Sequence, residues 1–116
     1  MRIIVRNIKG EVLLVKSVLG MTEWELPGGE VRRSETELAA IARELKEETA
    51  LIILEDTIKK RRSLLQPFPL ELFECIEPIT ANAQIKRPWE IREIRWCNPQ
   101  ELPIDTAGYV TSFFMK

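Results

Sequence analysis

Histidine is absent from this chain of 116 residues. Without an imidazole, the chain cannot build a histidine-based zinc site, a Ser-His-Asp or Cys-His catalytic group, or a histidine general base. Acid–base or hydrolytic chemistry here would therefore depend on carboxylates and on a metal ion that carboxylates can hold.

Cysteine is scarce, and long apolar runs are missing. Cys75 and Cys97 are the only cysteines. They are not clustered, so we expect two buried apolar side chains and neither a disulfide nor a metal site. No segment is apolar enough to span a bilayer, and residues 1–2 begin no signal-peptide pattern. These features predict a cytoplasmic protein with no membrane partner, folded as a single domain over residues 1–116.

Charge is nearly balanced. The formal net charge is −1, with charged residues making up 30% of the chain. This balance gives no general attraction to nucleic acid or to acidic membranes, so we expect neither as a partner. A hydrophobic content of 45% is sufficient for a real core.

The most informative pattern that is present is a cluster of glutamates on a predicted helix. Glu44, Glu47 and Glu48 fall on one side of that helix, where like charges at i,i+4 cost about 0.2–0.5 kcal/mol. A divalent cation could offset this repulsion. The alternative is a solvated acidic face with an Arg43–Glu47 surface pair.

The helix itself is predicted from capping and periodicity. Ser34 followed by Glu37 has the spacing of a capping box, which makes Ser34 the predicted N-cap. Apolar residues then follow at the spacing of a buried stripe. The stripe consists of Leu38, Ile41, Ala42 and Leu45.

The spacing of this region resembles the signature box of the Nudix hydrolase superfamily. All but one of the defined positions match, and residues 24–29, Trp-Glu-Leu-Pro-Gly-Gly, resemble the usual lead-in. The matching positions are Gly29, Glu35, Arg43, Glu44, Leu45, Glu47, Glu48 and Leu51. The departure is Ala50, where the family has glycine. A glycine there would end the helix in a left-handed conformation, which costs alanine about 1 kcal/mol.

The resemblance implies an α+β protein with the Nudix fold, an α/β/α sandwich around a mixed β-sheet. It also implies metal-dependent hydrolysis of a diphosphate linkage with Mg²⁺, for which Mn²⁺ could substitute. The implied metal ligands are Glu44, Glu47, Glu48 and the carbonyl of Gly28. By the same resemblance Glu35 and Arg43 orient the ligating carboxylates, and Gly29 permits close backbone approach. For Glu35, a plain charge near the helix cap is the alternative.

The general base is expected outside the box. Residues 89–96, Trp-Glu-Ile-Arg-Glu-Ile-Arg-Trp, occupy the place where many Nudix members carry a further glutamate. Glu90 is our candidate for the base or an extra ligand, and Glu47 is the alternative base. Glu90 and Glu93 could instead be exposed charges.

The implied substrate is a small nucleotide. Trp89, Glu93 and Phe68 are candidate substrate-binding residues, since aromatic rings can stack on a base. Trp24 and Phe73 could serve similarly, although core positions are the alternative for each aromatic. The basic run at 59–62 is interpreted as a solvated turn, or as a surface that attracts a polyphosphate.

We favour a nucleoside triphosphate, normal or oxidised, cleaved to monophosphate and pyrophosphate. Pro67 lies where ADP-ribose-cleaving members carry a proline, so ADP-ribose or a related dinucleotide is the alternative. A third hypothesis is a sensor module that binds a nucleotide without cleaving it.

Strands are predicted from apolar runs at 3–5, 12–15 and 51–54, from a short segment that leads into the Pro-Gly-Gly loop at 24–26, and from alternation at 70–76 and 91–97. A tight turn at 7–10 would join the first two strands, another turn follows at 99–103, and a second helix is predicted within 106–116. The first strand is predicted to begin almost at residue 1, so the sheet could lack an edge that other Nudix members have. A homodimer could cover the edge that is then exposed.

Overall fold

Two helices and six strands organise the computed structural model, which describes residues 1–19, 23–64 and 69–115. The strands are β1 Arg2–Ile4, β2 Val12–Ser17, β3 Trp24–Glu25, β4 Ile58–Leu64, β5 Leu70–Cys75 and β6 Ile91–Cys97. The helices are α1 Glu37–Thr49 and α2 Gly108–Phe114, and a 3-10 turn spans Glu55–Thr57. None of the helices in the described ranges has the length and apolar character needed to cross a membrane.

The strands form two three-stranded sheets. One has the order β1-β5-β4, with β1 parallel and β4 antiparallel to β5; the other is the antiparallel sheet β3-β2-β6. The amide of Leu13 donates to the carbonyl of Val5 at 3.1 Å, which links the two sheets at the start of β2. The first two strands are therefore where the sequence predicts them, but their main ladders run to other strands.

Both faces of the sheets are covered, which gives the predicted α/β/α sandwich around strands of mixed direction. Ile3, Leu13 and Phe73 pack in a cluster with residues of α1. Their neighbours on the opposite face, including Ile4 and Leu14, pack in a second cluster with residues of α2. Because successive residues of a strand point to opposite faces, the short strands read as continuous apolar runs.

Two predicted segments differ in the structure. Residues 51–54 form no strand: Leu51 is buried in the core, but Ile52 is 73% exposed and Leu54 is 68% exposed, and the segment joins no sheet ladder. The basic run at 59–62 is not a turn but the middle of β4. Its cations are tolerated in a strand because β5 offers carboxylates opposite: Lys60 pairs with Glu71 at 3.1 Å and Arg61 with Glu74 at 2.8 Å.

The N-cap of α1 is Thr36 and not Ser34. The Thr36 hydroxyl accepts a hydrogen bond from the amide of Ala39 at 3.1 Å, while Ser34 lies in the left-handed region with φ 70°. The predicted stripe is also shifted: Ile41 and Leu45 are fully buried, whereas Leu38 and Ala42 are partly buried at the rim of the core.

Helix α1 ends at Ala50 in the left-handed conformation that the family's glycine position implies. This residue has φ 68° and ψ 4°, and its amide donates to the carbonyl of Lys46 at 2.9 Å. The helix thus ends in the left-handed conformation that glycine would adopt without strain. The predicted strands at 24–26, 70–76 and 91–97, the turn at 99–103 and the second helix agree with the structure to within a few residues at their ends.

Candidate active site

The Gly28–Gly29 turn lies directly against the acidic helix. The amide of Gly28 donates to Oε1 of Glu48 at 3.2 Å. A Cβ atom on Gly28 would overlap the backbone of Met1, and one on Gly29 would overlap the carboxylate of Glu44. Gly28 therefore has no room for a side chain beside the backbone of residues 1–2, whereas a side chain at Gly29 would displace the carboxylate of Glu44.

Glu48 is a buried carboxyl without a cationic side chain to pair with. Its exposed fraction is 3%, and it forms no ion pair with any residue that the structure describes. Burial raises the pKa of Glu48 to about 8, and the charges of Glu44 and Glu90 act in the same direction. The hydrogen bond from Gly28 and the charge of Arg2 oppose this pKa shift without cancelling it.

Arg43 gathers the other carboxylates of the helix. Its Nε and Nη2 atoms contact Glu35 at 2.6 and 2.9 Å, and its Nη1 donates to Glu44 at 2.6 Å and to Glu47 at 2.7 Å. The hydrogen bonds from Arg43, together with the amide of Arg32, lower the pKa of Glu35 to about 2. Glu35 is thus bound to the arginine and is more than a loose charge near the cap.

The loop before β6 is docked on the C-terminal end of α1 through its backbone. The amide of Gln84 donates to the carbonyl of Thr49 at 2.8 Å, and that of Lys86 to the carbonyl of Glu48 at 3.2 Å. These bonds satisfy carbonyls that the end of a helix leaves without intrahelical partners. They also bring the residues that follow, including Glu90, up to the acidic face of the helix.

Arg87 is the residue of this region that the sequence reasoning missed. Its Nη2 lies 2.7 Å from Oε2 of Glu47, and its Nη1 lies 3.2 Å from Oε2 of Glu90. The one signal in the sequence is its position three residues before Glu90. Nothing in that spacing points to Glu47, which lies on another element.

Two clefts, each of about 600 Å³, flank the helix face. The first, called here the glycine cleft, is lined by Gly28, Gly29 and Glu48 together with Arg2, Leu70 and Glu90. The second, called the arginine cleft, is lined by Arg43, Lys46, Glu47, Lys86, Arg87 and Trp89. Glu47 and Glu48 are adjacent in sequence, yet they line different clefts.

The candidate substrate-binding residues separate in the structure. Trp89 is 70% exposed and lines the arginine cleft, whereas Trp24 and Phe73 belong to the core. Glu93 is not among the residues that line either cleft; it lies within β6 and faces Arg92 at 3.8 Å. Phe68 and Pro67 fall outside the described residues.

The oxygen atoms at this site are of the chemical type that binds a hard divalent cation. Glu44 and Glu48 are buried next to the glycine turn, and carboxylate and carbonyl oxygens are the ligands that Mg²⁺ prefers. Within the described ranges, no three carboxylates or thiols are close enough together to hold a metal ion as they stand. Glu44, Glu47 and Glu90 instead contact arginines.

Comparisons with known proteins agree with this geometry. The profile of the NUDIX domain matches residues 1–112, while no curated protein sequence matches the chain. The solved MutT protein from Methanosarcina mazei Go1 is similar, with a TM-score of 0.77 and 23% identity over 98% of this chain and 87% of its own.

Two further solved structures are similar over most of their length. The MutT NUDIX hydrolase from Burkholderia pseudomallei has a TM-score of 0.70 and 18% identity, over 98% of this chain and 95% of its own. An Ap4A hydrolase from C. elegans has a TM-score of 0.70 and 20% identity, over 98% of this chain and 89% of its own. At these identities the likeness indicates a shared fold.

Proposed function

This chain belongs to the NUDIX domain family, and on that premise we propose that it is a Mg²⁺-dependent pyrophosphohydrolase acting on a nucleoside diphosphate derivative. The observation that carries the proposal is the meeting of three elements at one place. The glycine turn, the acidic face of α1 and the loop that bears Glu90 come together around Glu48.

The residues divide into holding and reacting roles. Mg²⁺ would be held by Glu44, Glu47, Glu48 and the carbonyl of Gly28, with Mn²⁺ as a substitute. When bound, the ion supplies charge neutralisation at the phosphate oxygens and lowers the pKa of a water molecule. Arg43 keeps the carboxylates of Glu44 and Glu47 at fixed positions on the helix.

Glu90 is proposed to take the proton of the attacking water. Its carboxylate borders the same cleft as Glu48 and is 42% exposed, so water can reach it. Glu47 is the alternative base, but both of its oxygens already contact arginines, so neither is open to an attacking water.

A nucleoside triphosphate is the favoured substrate, with monophosphate and pyrophosphate as products. Trp89 offers an exposed ring for a base, and Lys46, Lys86 and Arg87 offer cations for phosphate groups in the same cleft. ADP-ribose and dinucleoside polyphosphates remain the alternative substrates, the latter because a solved structure of similar fold is an Ap4A hydrolase.

A nucleotide sensor without turnover is the second candidate. The observation that favours it is the arginine pairing of Glu44, Glu47 and Glu90, which satisfies these carboxylates in the absence of metal. A sensor could retain that arrangement with a nucleotide bound in the arginine cleft.

Phosphate and pyrophosphate release across a substrate panel distinguishes these candidates. The panel holds common and oxidised nucleoside triphosphates, ADP-ribose, NADH, diadenosine polyphosphates and capped RNA, each with Mg²⁺ and with EDTA. We expect Mg²⁺-dependent pyrophosphate release from a triphosphate. Saturable nucleotide binding without turnover on any compound would instead favour the sensor.

A further inference from the structure

Arg87 connects two carboxylates that lie on different elements. It contacts Glu47 of α1 at 2.7 Å and Glu90 of the docked loop at 3.2 Å, and its own side chain is 25% exposed. The second oxygen of Glu47 accepts from Arg43 at 2.7 Å. Guanidinium groups therefore occupy both oxygens of Glu47.

The backbone of Arg87 is fixed independently of its side chain. Its carbonyl accepts from the amides of Glu90 at 2.9 Å and Ile91 at 2.7 Å, and the preceding residue, Lys86, is bonded to α1. The guanidinium can consequently change partners by side-chain rotation alone, with no movement of the loop. Such rotations are among the fastest motions of a partly exposed residue.

The arginine cleft, which Arg87 lines together with Glu47, has room for a different, anionic partner. The arginine cleft places Lys46 and Lys86 beside it, with Trp89 at the rim. A phosphate group entering this cleft would offer the guanidinium a forked, charge-assisted contact equal in kind to the carboxylates that it leaves.

We propose that Arg87 is an exchangeable clamp. Without nucleotide it joins Glu47 to Glu90 and competes with a divalent cation for both carboxylates. With nucleotide bound it transfers to a phosphate group, which releases Glu90 and the Oε2 atom of Glu47 for the metal or for water, while Oε1 of Glu47 stays bonded to Arg43. The competition stands apart from catalysis, whereas the transfer to phosphate rests on the proposed function.

The competition is tested by the Mg²⁺ affinity of the nucleotide-free protein, measured by isothermal titration calorimetry. Arg87→Gln removes the competing cation, so we expect Mg²⁺ to bind about threefold to tenfold more tightly than in the unmodified chain, as suits partly exposed ion pairs. Arg92→Gln is the matched control: it removes the same charge nearby, from a side chain that lines neither cleft.

Equal Mg²⁺ affinities in Arg87→Gln and Arg92→Gln, or weaker binding in Arg87→Gln, would overturn the clamp. Circular dichroism of each variant verifies folding. Should Arg87→Gln fail to fold, Arg87→Lys decides, because its compact ammonium cannot fork onto two carboxylates. We expect Arg87→Lys to bind Mg²⁺ more tightly than the unmodified chain, and an unchanged affinity would contradict the proposal.

The transfer to phosphate is tested with inorganic pyrophosphate, a probe that contains no nucleobase and so does not depend on which nucleotide is the substrate. With saturating Mg²⁺, we expect Arg87→Gln to weaken pyrophosphate binding about tenfold and Arg92→Gln to leave it within twofold. Unchanged binding in Arg87→Gln would overturn the transfer. If no panel compound is hydrolysed but both affinity changes occur, the proposed function fails and the clamp stands.

Discussion

Glu47 and Glu48 are neighbours on one helix, yet Glu48 is buried and forms no ion pair with a described residue, whereas Glu47 lies between arginines. Glu48 is buried at the glycine cleft, hydrogen-bonded to the amide of Gly28, and its pKa is raised to about 8. Glu47 lines the arginine cleft and contacts Arg43 and Arg87 at 2.7 Å each. One carboxyl is destabilised as an anion by loss of water, and the other is stabilised by guanidinium groups.

The two glutamates therefore differ in what each must lose before it can bind a cation. A desolvated carboxyl such as Glu48 gains most when a metal ion arrives, because none of the described cationic side chains forms an ion pair with it. An arginine-bound carboxylate such as Glu47 must first exchange partners. In the proposed function, Glu48 is therefore the firmest metal contact and Glu47 the more adjustable one.

The largest effect on turnover is expected from a substitution in the glycine cleft. Glu48→Gln keeps the shape of the side chain but removes the negative charge that would meet the cation. We expect turnover to fall by about a thousandfold, since charge stabilisation of this kind is worth several kcal/mol. Initial rates of pyrophosphate release measure this. Glu101→Gln, an exposed glutamate away from both clefts, is the control. Full turnover in Glu48→Gln would remove Glu48 from the metal ligands.

Glu90→Gln addresses the loop that borders the glycine cleft. If Glu90 is the base, turnover should fall by about a hundredfold, with a smaller change in KM. An unchanged rate would transfer the role of base to Glu47.

Arg43→Ala removes the guanidinium that holds Glu35, Glu44 and Glu47. We expect the free energy of unfolding to fall by about 1–3 kcal/mol, because partly buried carboxylates lose their partner. Turnover should fall about tenfold to a hundredfold, as is typical when residues that orient metal ligands are changed. Urea denaturation measures the first effect. Arg43→Lys should recover part of both, and a full recovery would show that charge alone matters.

The pH dependence of stability sharpens the difference between the two glutamates. The folded-state pKa of Glu48 lies near 8, above its ordinary value of 4.5, so the folded protein binds the proton more tightly than the unfolded chain. The stabilisation that Glu48 contributes is fully present below pH 4.5. As the pH rises toward 8, the free energy of unfolding falls by on the order of 2–4 kcal/mol. Thermal melts in EDTA between pH 5 and 8 should show this decline.

Glu48→Gln is the control for that decline, because the neutral amide cannot lose a proton. Its melting temperature should depend less on pH over the same range. Glu35 does not interfere, since its pKa near 2 restricts its own contribution to pH values below 4.5. Parallel slopes in the two proteins would contradict the buried, destabilised state of Glu48.

The smallest effect concerns the end of the same helix. Ala50→Gly should raise the free energy of unfolding by about 0.5–1 kcal/mol, because glycine adopts φ 68° without the steric cost that alanine bears. Ala42→Gly, within the helix, should instead lower the free energy of unfolding by about 1 kcal/mol. The urea midpoint measures both. A loss of stability in Ala50→Gly would mean that the gain in unfolded-chain entropy outweighs the relief of strain.

Local sequence predicted the features that depend on local physics. The helix followed from its apolar stripe and the spacing of Glu44, Glu47 and Glu48, and β5 and β6 followed from their alternation. The N-cap was misplaced by two residues because Ser34 and Thr36 both carry a capping hydroxyl. Only the left-handed backbone of Ser34 separates them.

The features that sequence did not predict depend on distant partners. The cationic run of β4 is stable as a strand because Glu71 and Glu74 come from β5. Arg87 reaches Glu47 only because the amide of Lys86 docks on the end of α1. Neither pairing leaves a mark in the spacing of residues along the chain.

The outer strand β4 also bears on how copies of this protein meet one another. A strand at a sheet edge can template fibrils, and natural proteins place lysines there to prevent it. The exposed Lys59, Lys60 and Arg61 would lie against the same cations of a second copy paired along this edge. A homodimer, which stays a prediction, would avoid this repulsion by using another surface, and the charged edge itself acts as a gatekeeper against aggregation during folding.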